Sequence, residues 1–393
     1  MVNKKLKIVA DDKIPFLKGV LDPFVDIVYL PGSQITAVDV ANADAIFTRT
    51  RTHCNEVLLH QSRVRLIVTA TIGYDHIDID YCEANGIRWV NAPGCNSSSV
   101  QQYITTALLV LAKEKNWTLA DMTLGVIGVG NVGSKVAKAA VALGMHVLLN
   151  DPPRAEKEGN AAFTPLYKLL EQSDIVTCHT PLKKEGPYPT YHLSSHDFFN
   201  QMKNGAVYIN TSRGAVTDSE ALKQAVQSLS VVAGLTRNHP KLSTCILDVW
   251  EREPQINLEL LEHAFIGTPH IAGYSADGKA NGTAVCVREF CRFFGLDILP
   301  DWYPDTVPAP PMMTVIPIDC KGKTEQQVFF EAVTHTYPIW KDNNRLKYSP
   351  KTFEEQRGNY WSRREFGNFT IELKNYTTKI ADRLSELGFK IYS

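Results

Sequence analysis

Short β-branched runs alternate with helix-patterned stretches from the start of the chain. KIVAD (7–11), DIVYL (26–30), AIFTR (45–49), RLIVTA (65–70) and IRWVN (87–91) return at near-regular intervals. Continuous apolar runs mark strands buried on both faces, so this beat predicts a parallel α/β sheet. An apolar-periodic stretch then runs from Ser98 to Lys115, with Asn96 or Ser97 as its cap. A second series follows: LGVIGV (124–129), HVLLN (146–150), DIVTCH (174–179), AVYIN (206–210), CILDV (245–249) and AFIGT (264–268). Two such series predict two lobes, the second doubly wound, with ligands held in a cleft between them. LPDWYPDTVPAPP (299–311) holds five of the chain's 21 prolines and reads as a stiff extended linker. Beyond it, MTVIPI, TEQQVFFEAVTHTY, NFTIELK and KIADRLSELGFKIY predict a small α+β unit. Val328, Phe329, Phe330 and Val333 give that unit an apolar helix face it is too small to cover, so a homodimer is expected.

Composition narrows the function classes. The 393 residues carry a formal net charge of −1, which argues against general attraction to nucleic acid or anionic membrane. A membrane helix needs about 20 apolar residues; the best run here is ALLVLA, 107–112. The eight cysteines are scattered without a CxxC pair, so they read as reduced thiols of a cytoplasmic protein, and no metal is expected. The segment 227–243, polar and containing a proline, reads as a surface loop.

The strongest local signal is Gly128-Val129-Gly130-Asn131-Val132-Gly133, between the run LGVIGV and the helix pattern SKVAKAAVALG. Gly128 allows a tight turn, Gly130 a close approach to a pyrophosphate, and Gly133 close helix–strand packing. The N–H groups of Asn131 and Val132 then face the phosphates. Asp151, just after the next strand, suits ribose hydroxyls and repels a 2′-phosphate, which favours NAD over NADP. Arg154 is the competing cue, since a cation there can neutralise that phosphate.

Hydride transfer from an alcohol needs a base that titrates near neutrality and a cation for the nascent carbonyl. His270 follows a predicted strand in GTPHIAGY, Arg213 follows another in NTSRG, and Asp248 to Pro254 supply carboxylates between them. His179 is a further candidate but has no evident carboxylate partner, and reads as structural.

GVGNVG with Asp151, NTSRGAVTD, LDVWEREP and TPHIAGY resemble the D-2-hydroxyacid dehydrogenases in order and spacing, as do TATIGYDHID (69–78) and NAPGCN (91–96). The resemblance implies a flavodoxin-like substrate lobe (1–96, completed by 273–300), a Rossmann NAD domain (97–272) and an added α+β dimerisation domain (306–393). It implies His270 as acid/base, Glu253 as its orienting partner and Arg213 as the substrate-binding cation. Thr50, Thr71 and Tyr274 would contact substrate. Gly128, Gly130, Asn131, Val132, Gly133, Asp151, Thr180, Thr211, Ser212, Arg213, Asp248 and Gly273 would line the NAD site. The implied reaction is NAD-dependent oxidation of a phosphorylated 2-hydroxy acid. Another member reaction, such as phosphoglycerate oxidation, and a non-catalytic NADH-sensing protein remain as alternatives. Arg49 and Arg51, alternating with Thr48 and Thr50, are candidates for a substrate phosphate. Lys279 and Arg363 or Arg364, the last two from a partner subunit, are weaker ones.

Overall fold

The computed structural model describes residues 5–227, 231–232, 235–236 and 240–392. The chain divides into two compact units: 1–96 with 275–309, and 97–274 with 310–393.

The first unit is built on five parallel strands, β1 (Lys7–Asp11), β2 (Asp26–Leu30), β3 (Ala45–Thr48), β4 (Leu66–Thr69) and β5 (Arg88–Val90), in the order β2-β1-β3-β4-β5. This is the flavodoxin-like order, reversing direction at β1 and β3. β3 and β4 are buried along their full length, as their unbroken apolar sequences require. The long helix Ala276–Phe294 closes one face through Cys286, Val287 and Phe290, while Leu58, Leu59 and Cys82 lie in the core on the other face. Residues 299–311 carry neither helix nor strand.

The second unit holds six parallel strands: β6 (Thr123–Ile127), β7 (His146–Asn150), β8 (Ile175–Cys178), β9 (Ala206–Asn210), β12 (Leu242–Leu247) and β13 (Ala264–Gly267). Their order is β13-β12-β9-β8-β6-β7, doubly wound, reversing between β6 and β8. Between β9 and β12 the backbone makes a two-residue antiparallel pair, β10 (Val231–Val232) with β11 (Leu235–Thr236). The surface loop expected over 227–243 thus contains this pair and ends inside β12. Its residues 228–230, 233–234 and 237–239 lie outside the described residues.

The C-terminal residues do not stand apart from this unit. β14 (Val315–Asp319), β15 (Thr370–Lys374) and β16 (Lys390–Tyr392) form a parallel sheet with one face buried. Val328, Phe329 and Val333 are fully buried in one hydrophobic core with Ile104, Leu108, Leu111 and Ala140 of the nucleotide fold. Gln102 Nε2 donates to Thr336 Oγ1 at 3.1 Å, and Asn343 Oδ1 accepts from Gly267 N at 2.9 Å. The apolar helix face that suggested a partner subunit is therefore covered within the chain: the helix Ser97–Lys115, buried along most of its length, supplies the missing surface.

Candidate active site

The glycine-rich turn leaves β6 and opens the helix Asn131–Ala142. Gly128 has φ +83°, and a Cβ there would meet the His179 carbonyl at 2.9 Å. A Cβ on Gly133 would lie 2.0 Å from the Gly128 oxygen, so only glycine lets this helix seat on the strand. At Gly130 a Cβ would meet nothing within 4 Å, and the Thr180 hydroxyl is buried without a hydrogen-bond partner. An open backbone at a helix start beside an orphaned hydroxyl suits the pyrophosphate of NAD.

Asp151 caps the helix Pro152–Glu158. Its carboxylate accepts from Arg154 N at 3.2 Å and from Val129 N at 2.8 Å, joining the end of β7 to the glycine turn. The Arg154 guanidinium donates twice to Glu158, at 2.7 and 2.6 Å, and to the Val129 carbonyl at 2.6 Å. A cation so occupied must break these bonds to take a 2′-phosphate.

His179 is half-buried, and loss of hydration pushes its imidazole down to about 3, so the ring is neutral. Its ring nitrogens meet Thr177 Oγ1 at 3.1 Å and Thr211 Oγ1 at 3.4 Å. Thr211, Ser212 and Arg213 follow β9 on a turn wired by Asn210, which sequence reasoning passed over. Asn210 Nδ2 donates to the Arg213 carbonyl at 3.0 Å and Oδ1 accepts from Ser212 N at 2.9 Å. The Arg213 guanidinium reaches back to the Ser212 carbonyl at 2.9 Å.

His270 lies three residues past β13 with φ +57°, and its Nδ1 is 2.7 Å from Glu253 Oε2. Burial raises the Glu253 carboxyl, but the charge and hydrogen bond of His270, the Trp250 N–H and the charge of Arg357 together bring it below its ordinary value. An ionised Glu253 fixes Nδ1–H and leaves Nε2 to exchange a proton. Asp248 is buried with both oxygens engaged: Oδ1 accepts from Thr268 Oγ1 and Ile271 N, both at 2.7 Å, and Oδ2 from Ala272 N at 2.9 Å. Asp248 thereby holds the loop that follows His270. Gly273 completes that loop, a turn closed by Tyr274 N to the Ile271 carbonyl at 2.9 Å. A second pair, His192 Nε2 to Glu251 Oε1 at 2.7 Å, ties down the segment carrying Glu253; its partners are 59 residues apart and left no local signal.

Arg363, expected at a substrate phosphate from a partner subunit, is instead fully buried and donates to the carbonyls of Ile271 and Ala272 in its own chain. In the first unit, Thr50 is exposed where the chain bends beyond β3. Thr71 Oγ1, past β4, donates to the Gly73 carbonyl at 2.8 Å. Arg49 Nη1 donates to the Lys13 carbonyl at 3.1 Å.

Residues 107–272 match the family model of the D-isomer specific 2-hydroxyacid dehydrogenase NAD-binding domain, and 310–388 match a domain of unknown function. The chain is 50% identical over 367 residues to an erythronate-4-phosphate dehydrogenase of Bacteroides thetaiotaomicron, covering 93% of this chain and 99% of that one. It is 37% identical to the enzyme of the same name from Edwardsiella ictaluri, covering 98% and 99%. Among solved structures, the D-lactate dehydrogenase of Aquifex aeolicus complexed with NAD and lactic acid aligns at TM-score 0.60 and 29% identity, over 74% of this chain and 96% of that one. With NAD as its cofactor, the chain belongs to the erythronate-4-phosphate dehydrogenase group of the D-isomer-specific 2-hydroxyacid dehydrogenases.

Proposed function

We propose that the protein oxidises the C2 hydroxyl of 4-phospho-D-erythronate to (R)-3-hydroxy-2-oxo-4-phosphooxybutanoate with NAD, a step in pyridoxal 5′-phosphate formation. The observation that carries the reading is the 2.7 Å His270–Glu253 pair beyond a parallel strand of the nucleotide fold. When bound, NAD would supply the acceptor for the C2 hydride. His270 Nε2 takes the hydroxyl proton, and the Glu253 carboxylate stabilises the imidazolium that forms. Arg213 offers planar paired donors to the substrate carboxylate and the developing carbonyl oxygen. Thr50, Thr71 and Tyr274 supply hydroxyls to the substrate. Gly128 to Gly133, Asp151, Thr180, Thr211 to Arg213 and Gly273 hold the cofactor, with Asp248 fixing the loop beside it.

The protein works as a homodimer in the cytoplasm. The outward face of the β14–β16 sheet, with Val315 and Tyr392 exposed, supports the first, and eight free cysteines support the second. Sedimentation at micromolar concentration tests the dimer, and cell fractionation the location. The function is tested by NAD-linked oxidation of 2-hydroxy acids with and without a terminal phosphate. Turnover confined to 4-phosphoerythronate is expected; equal rates on the unphosphorylated acids would overturn the substrate assignment.

A further inference from the structure

The loop from His270 to Tyr274 is gripped from two directions. On one side the Asp248 carboxylate takes the N–H groups of Ile271 and Ala272. On the other, the carbonyls of the same two residues accept from Arg363 Nη2. Arg363 is fully buried, stacked 4.3 Å from the Tyr337 ring, with Asp342 held nearby by the Tyr337 and Tyr360 hydroxyls at 2.9 and 2.7 Å. Six residues earlier, Arg357 Nη2 donates to the Tyr274 hydroxyl at 3.2 Å while Nη1 pairs with Glu354 at 2.9 Å. Both arginines belong to the domain of unknown function, and Tyr274 also packs edge-on against Tyr360, at 6.0 Å between centroids.

We propose that this C-terminal segment is a working part of the active site: Arg363 and Arg357 are positioning residues that set the His270–Tyr274 loop for hydride transfer. A buried guanidinium is costly to keep; here Nη2 alone takes the two carbonyls, the Tyr337 ring lies against the cation, and Nε and Nη1 have no hydrogen-bond partner. Such a cation, bound to two successive peptide carbonyls, fixes a backbone more tightly than apolar packing does. The peptides after His270 are thus held on both their N–H and carbonyl sides, and the Tyr274 hydroxyl is held by Arg357. The inference rests on the dehydrogenase reading for its kinetic consequences, but not for the clamp itself.

The test uses the full-length protein with Arg357→Met and Arg357→Lys. The methionine variant is expected to lower kcat about ten- to a hundredfold at saturating substrate, with NAD affinity held within about twofold. Glu253 faces His270, Arg357 and the Trp250 N–H, and loses one of its two cations, so the acidic limb of the kcat–pH profile moves upward. Lysine restores the charge and part of the rate. Hydrogen exchange over residues 268–276 reads the clamp without turnover, and faster exchange in Arg357→Met and Arg363→Lys is expected. Unchanged kcat, pH limb and exchange would overturn the proposal. Should Arg357→Met fail to fold, a cycle of Arg357→Lys with Tyr274→Phe decides: coupled losses support it and strictly additive ones defeat it. A wild-type chain that oxidises no 2-hydroxy acid would overturn the dehydrogenase reading alone, and the exchange result would still judge the clamp.

Discussion

The two parallel sheets share a strand order around their reversal points, yet only one of those points is built for a nucleotide. At the β6/β8 reversal, Gly128 turns with positive φ, Gly130 leaves open space, and Thr180 keeps an unpartnered hydroxyl. At the β1/β3 reversal the same region is stitched shut by side chains. Asp11 is 3% exposed and accepts from Lys13 N at 2.8 Å, and Arg49 donates to the Lys13 carbonyl. Gly32 is needed there because a Cβ would meet Asp11 Oδ2 at 2.3 Å. A doubly wound sheet offers a crevice at its reversal; whether a phosphate enters depends on what the following residues place in it.

The largest effect that breaks this symmetry is chemical. His270→Ala removes a proton acceptor that only the second sheet presents, and kcat should fall roughly 10²–10⁴-fold with NAD affinity kept. Proportional losses in both would place His270 in the binding site instead, as judged by steady-state kinetics beside NAD titration.

Paired glycine substitutions come next. Gly133→Ala forces a Cβ onto the Gly128 carbonyl, and Gly32→Ala one onto Asp11. Each should cost about 1–3 kcal/mol of stability by overpacking. Only Gly133→Ala should also weaken NAD, about tenfold or more. Equal NAD affinity in the two variants would mean that the glycine turn is structural alone.

Arg49→Ala sharpens what the stitched reversal is for. A phosphate contact is worth roughly 1.5–3 kcal/mol, so the phosphorylated acid alone should lose affinity, about ten- to a hundredfold. Equal losses with the unphosphorylated acid would assign Arg49 to the Lys13 tie. Asp151→Ala should narrow the gap between NAD and NADP and lose about 0.5–2 kcal/mol of helix capping. A wild-type protein that uses both cofactors equally would contradict the role given to Asp151.

The smallest effect lies in acid stability, to which His76 of the first unit and His179 of the second contribute. Burial holds His76 down to about 4 and His179 to about 3, both below the ordinary 6.5. Between those values and 6.5 the unfolded chain binds protons that the folded chain does not. Stability is therefore full above pH 6.5 and falls as pH drops, by at most about 1.4 kcal/mol per pH unit for each histidine. Melting temperatures from pH 7.5 to 5 should decline, and His179→Gln should flatten the slope.

The strands were legible because short continuous apolar runs mark them: β1, β2, β7 and β9 begin and end where those runs do, although the edge strands β2 and β7 are only partly buried. The glycine turn and Asp151 were legible because their chemistry lies within one βαβ stretch. Asn210 was hidden behind Thr211–Arg213, because its work is done through hydrogen bonds that local pattern does not encode. What the sequence determined by itself was thus the alternation and the nucleotide turn. Only the tertiary structure decided that Val328, Phe329 and Val333 find their cover on the helix Ser97–Lys115, and that Arg357 and Arg363 reach Tyr274 and the peptide after His270. Those contacts join residues more than eighty positions apart. Burial and hydrogen-bond satisfaction choose such partners in three dimensions, where sequence spacing carries no information.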